Sequence, residues 1–171
     1  VNTKSYQAGD ILVASDNVAR IPRGYMGHSS LMISQKELIE ATDSVPYIRV
    51  LPIEKFQHDH PIHAQYRPKS AEMGHRAAYC ALDYLQKYVQ SMRQGTHRPP
   101  FSFTTDIPLH DPWSSVYCSK LVWLCYYYGA NYAFPNDFFL FTPQDLDAHL
   151  QQDPHFTLIY KHPQHLFRLD T

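Results

Sequence analysis

Long apolar runs are missing from this sequence. No stretch of about eighteen consecutive apolar residues occurs, so no membrane-spanning helix can be read in it. Runs of lysine or arginine are missing too, and the formal net charge is -1, which points to neither nucleic acid nor an anionic membrane as partner. Cysteine is scarce. Cys80, Cys118 and Cys125 are an odd count of 3, which makes no disulfide framework and leaves at least one thiol free or paired outside the chain. The opening VNTKSYQAGDILVAS lacks the charged-then-apolar order of a signal peptide but suits a mature chain after cleavage. Cytoplasm and export both stay open. What is present is globular: 44% hydrophobic and 14% aromatic residues over 171 positions, expected to form a single domain over residues 1–171.

The order of elements predicts an α+β fold. DILVAS (10–15) reads as a strand, and the Pro- and Gly-bearing NVARIPRGYMG after it as a loop. HSSLMIS and KELIEAT form a hairpin about Gln35 and Lys36, and YIRVLPI and IHAQYRP are further strands. The segment FQHDHPIH between them reads as a loop running into a strand. From Ser70 the period changes. Ala77, Cys80, Ala81, Tyr84, Leu85, Tyr88 and Val89 recur at helical spacing, Ser70 is the expected N-cap, and Cys80 is expected in the core. A long polar loop (93–115) leads to a second helix, VYCSKLVWLCYYYG, with Leu121, Val122, Leu124, Cys125 and Tyr128 on its apolar face and Gly129 as its expected C-cap. TPQDLDAHLQ is a well-signalled short helix and HFTLIYKH a last strand.

The chemistry question is whether Cys118 fills space or reacts. Cys125 lies deep in the helix among aromatics and is expected to be core. Cys118 falls in the first turn, where unpaired amides and the helix dipole favour a thiolate and offer an oxyanion its donors. A nucleophilic thiol also needs a base. His28 begins a strand after a glycine, and Glu40 sits in an otherwise apolar strand one hairpin turn later, close to opposite His28. A carboxylate beside an imidazole fixes its tautomer and stabilises the imidazolium.

With those residues on the page, GDILVAS, GHSSLMI with ELIEAT, and YCSKLVW together resemble the permuted branch of the NlpC-type papain-like cysteine hydrolases, the YiiX-like proteins, which are related to the lecithin retinol acyltransferase-like proteins. The resemblance covers roughly residues 9 to 146. It implies an antiparallel sheet packed on helices with the histidine strand before the cysteine helix. It also implies Cys118 as nucleophile, His28 as base, Glu40 as its orienting partner, and Tyr117 lining the site. The implied substrates are amide bonds in cell-wall peptides or small amino-acid amides, or ester and acyl-lipid bonds.

Other signals compete. His58, Asp59, His60 and His63 are possible zinc ligands, yet their spacing matches no zinc motif, so a solvated polar loop is expected and neither metal nor cofactor is assigned. His110 and Asp111, on the loop before Cys118, are expected at the rim in substrate contact, with His110 the rival base. An idle binding module on the same fold is the alternative from another functional class. It would hold a peptide or lipid in the cleft.

Overall fold

A computed structural model describes residues 5–16, 26–136 and 140–168. Most of the NVARIPRGYMG loop (17–25) lies outside the described residues. Six strands form one antiparallel sheet: β1 (Ile11–Ala14), β2 (His28–Met32), β3 (Glu37–Ala41), β4 (Ile48–Pro52), β5 (His63–Pro68) and β6 (Phe156–Lys161), in the order β4-β3-β2-β1-β5-β6. Four helices accompany it among the described residues: α1 (Ile53–Asp59), α2 (Ala71–Arg93), α3 (Cys118–Ala130) and α4 (Pro143–Gln152).

Period-two alternation divides the sheet's buried side chains between two cores. Ile11, Val13, Leu31 and Ile39 join the large core with residues of α2, α3 and α4. Leu12, Ala14, Met32 and Leu38 join the small one with Ile53 and Phe56 of α1. α1 corrects the expected loop over FQHDHPIH. Ile53 and Phe56, three apart, bury one face of a seven-residue helix too short for a periodic signal.

The expected caps of two helices are present. Ser70 accepts from the Met73 amide, and Thr142 and Asp145 close a capping box with Pro143 at the first helical position. α3 departs from expectation at its end. It runs past Gly129 to a left-handed Asn131 (φ 55). Gly129 instead marks a close helix crossing, since a Cβ there would meet the Arg76 carbonyl oxygen at 2.5 Å and Cys80 Cβ at 2.7 Å. Cys80 is only partly buried at this crossing, and Tyr128 is exposed rather than on the apolar face. Every residue from Cys118 to Tyr126 is buried, so the first nine residues of α3 are enclosed on all sides, while Tyr127 and Tyr128 are exposed.

The upstream GD motif is structural. Gly9 has φ +94 and passes so near α2 that a Cβ would fall 2.2 Å from Gly74 Cα. Buried Asp10 receives two hydrogen bonds from Arg67, at 2.9 and 2.8 Å, and one from Gln65 at 2.8 Å, tying the start of β1 to β5.

Candidate active site

His28 opens β2 directly after Gly27, whose φ of +75 and lack of a Cβ let the chain pass against the Ala14 carbonyl, 2.3 Å from where a Cβ would lie. The β2–β3 register pairs Leu31 with Ile39 and Met32 with Leu38. Continued outward, it sets Glu40 across from Ser30, so His28 and Glu40 are diagonal neighbours on one face rather than directly opposite. Long side chains bridge that diagonal, and His28 Nε2 lies 2.5 Å from Glu40 Oε2. The carboxylate's other oxygen accepts from Arg49 Nε at 3.0 Å, and Arg49 is Glu40's direct partner on β4. Arg49 went unnoticed in the sequence, although reading the β3–β4 register would have found it.

Cys118 is the first residue of α3, after Tyr117 in extended conformation at the N-cap. Val116 fixes this entry by pairing with the preceding loop: its amide donates to the Pro100 carbonyl and its carbonyl accepts from the Ser102 amide. The same pairing carries Phe101 and Phe103 to the cleft wall. Cys118 and His28 line the same cleft, and the ring acts on the ionisation of the thiol. With Nε2 held by Glu40, Nδ1 is the ring nitrogen left to serve a neighbouring group.

The titration of the pair follows from these contacts. Burial alone would lower the His28 pKa, but its bonds to Cys118 and Glu40 and their negative charge prevail and push it up to about 10. Burial alone would raise the Cys118 thiol. The bond to His28 and its charge, and then the hydroxyls of Ser119 and Ser29, bring it below the ordinary thiol value. Glu40 is held below the usual carboxylate range: His28 and Arg49 outweigh its burial. This is the electrostatic pattern of a thiolate–imidazolium pair with an ionised orienter.

The pair opens on a cleft of about 710 Å³. Phe56, Phe101 and Phe103 give it an apolar wall, and Thr42, Asp43, Ser44 and Arg49 a polar one. His60, buried and bonded through Nδ1 to Asp16 at 3.1 Å, stacks on the His28 ring with centroids 4.9 Å apart. In place of the solvated loop expected there, His60 is the buried C-cap of α1. Its neighbours part company: His58 is exposed, Asp59 pairs with Lys55, and His63 is buried on β5 with Nδ1 on the His60 carbonyl.

The remaining expected site residues are not among the described residues lining the cleft. Tyr117 lines a separate cavity of about 250 Å³ with Lys120, and its hydroxyl accepts from the Phe141 amide at 3.1 Å. Its ring touches Phe103, which lines the cleft. His110 and Asp111 are not among the described residues lining the cleft. The His110 carbonyl accepts from Tyr128, and Asp111 caps the turn at Trp113 and Ser114. Lys120 is buried, which brings its pKa down to about 8 against the pull of Asp111.

Fold and cleft define an α+β protein in which a helix-start thiol meets a histidine and a glutamate from an antiparallel hairpin. A solved structure, metalloprotein YiiX from Escherichia coli O157:H7, shares this fold: the match spans 91% of this chain and 97% of that one at a TM-score of 0.51 and 15% identity. The chain therefore has a YiiX-like fold. No protein-family model and no curated protein matches it. No described helix is long and apolar enough to cross a membrane.

Proposed function

We propose that this chain is a permuted papain-like cysteine hydrolase acting on amide bonds of small peptides or amino-acid amides, as a single domain. The observation that carries the reading is a His28 imidazole bonded to the Glu40 carboxylate in a cleft that the Cys118 thiol also lines. The Cys118 thiolate attacks the substrate carbonyl carbon, and the carbonyl electrons move to oxygen, which the first-turn amides of α3 stabilise. The C–N bond breaks as the His28 imidazolium gives its proton to the leaving amine. A thioester remains. Water, giving a proton to His28, then attacks the thioester carbon and releases the acid and the thiolate. Glu40 holds the ring's Nε2–H throughout, keeping Nδ1 toward the sulfur.

The metal of YiiX has no counterpart in this mechanism. Among the described residues no group of three or more His, Cys, Asp or Glu side chains could hold an ion, and the His58–His63 segment sends its side chains in different directions. No step is routed through a metal.

The test begins with iodoacetamide labelling across pH, located by mass spectrometry. Fast labelling confined to Cys118, with an apparent pKa well below about 8.5, is expected. A slow thiol of ordinary pKa would retire the hydrolase reading and favour an idle binding cleft. Aminoacyl amides and acyl esters, offered with and without an amine acceptor, then separate hydrolysis from acyl transfer. Cys118→Ser is expected to abolish turnover of whichever substrate is found.

A further inference from the structure

Two buried serines stand next in sequence to the two members of the pair. Ser29 follows His28 on β2 and Ser119 follows Cys118 on α3. Across the seam between strand and helix, Ser29 Oγ donates to Ser119 Oγ at 3.1 Å, and both residues are fully shielded from solvent. Ser119 Oγ also lies 3.7 Å from Cys118 Sγ.

A hydroxyl carries one proton and two lone pairs. Ser119 uses a lone pair on Ser29, which leaves its own proton for the sulfur. The donors then run one way, from Ser29 to Ser119 to Cys118. Such a bond is worth more to a thiolate than to a thiol, because hydrogen bonds to an ionised partner are roughly twice as strong. It also strengthens when Ser119 is itself polarised by a donor. The two hydroxyls act on the thiol in the same direction as His28 does.

Building on the nucleophile assigned above, we propose that Ser29 and Ser119 are positioning residues of the reaction. They form a directed hydroxyl pair that steadies the Cys118 thiolate and fixes the start of the cysteine helix against the histidine strand. Once the thioester forms, the sulfur loses its negative charge and the bond weakens. The pair therefore acts where the sulfur carries charge, at its attack on the substrate and at its release from the thioester.

The test is the pH dependence of iodoacetamide labelling at Cys118 in the wild type, Ser119→Ala, Ser29→Ala, the double variant and His28→Ala, with folding checked by circular dichroism. Ser119→Ala is expected to raise the apparent thiol pKa by about one unit, which is about tenfold slower labelling at pH below the wild-type thiol pKa. Ser29→Ala should move it the same way by less. The double variant should add little to Ser119→Ala, since both hydroxyls serve one chain. Unmoved pKa values in folded Ser119→Ala and Ser29→Ala, with His28→Ala still raising it, would overturn this inference alone. An ordinary wild-type pKa that His28→Ala does not change would overturn the nucleophile assignment and this inference together. If Ser119→Ala does not fold, Ser29→Ala decides: a shift supports the pair and no shift removes it.

Discussion

Cys118 and Cys125 share one helix, two turns apart, and solvent barely reaches either. Their thiols nevertheless move in opposite directions. Cys125 is raised well above the ordinary value by its hydrogen bond to Cys80, then by burial and by that neighbour's charge. Cys118 is lowered despite equal burial, because a cationic ring and two hydroxyls face it. Burial alone thus says nothing about a cysteine's reactivity. What decides is whether the thiolate would find partners where it is formed.

Removing the partner should break the contrast. His28→Ala is expected to send the Cys118 pKa upward, toward Cys125, and to lower turnover by about 10²–10⁴-fold, the range of a lost general base. Retained turnover at pH 7 would show that the base is another group.

The pH profile tests the same pair without mutation. The ion pair exists above the lowered Cys118 pKa and below about 10, where His28 loses its proton. Activity should rise on the acid side and fall as pH passes through about 10. Because His28 is raised from 6.5 on folding, its stabilising contribution is complete below pH 6.5 and is lost as pH rises toward about 10. Thermal melts should therefore show an alkaline decline that His28→Ala flattens.

Glu40→Gln should sharpen the contrast more gently. It removes the negative charge that helps raise His28 and leaves the side-chain shape. A loss of roughly tenfold in turnover is expected, with the alkaline limb shifted to lower pH. An unmoved limb would mean that the carboxylate only packs. The smallest effect belongs to Cys125→Ala: labelling of Cys118 should stay within about twofold, while stability falls by roughly 1 kcal/mol from lost packing. A large change in Cys118 labelling would show that the two thiols are coupled.

Much of this was legible in local patterns. Helical spacing disclosed α2, a cap followed by proline disclosed α4, and one hairpin centre brought His28 and Glu40 to the same face. Cys118 was placed by its position in a helix, a one-dimensional property. What stayed hidden depends on separation in the chain. His60 meets His28 only because α1 turns the segment after β4 back under the sheet's end, and Ser29 meets Ser119 across 90 residues. Sequence spacing carries no trace of such encounters. Tyr117 shows the opposite error, since proximity in sequence to Cys118 did not put its side chain in the cleft.

The enclosure of α3 around Cys125 gives the protein an internal clock. Cys125 sits inside a helix with α2, α4 and the sheet packed round it, so a reagent reaches its sulfur only when that packing comes apart. Alkylation at Cys118 times access to a cleft, whereas alkylation at Cys125 times the opening of the whole core. Read from one mass spectrum, the two adducts would report activity and lifetime of the fold together, in the same tube and with one reagent.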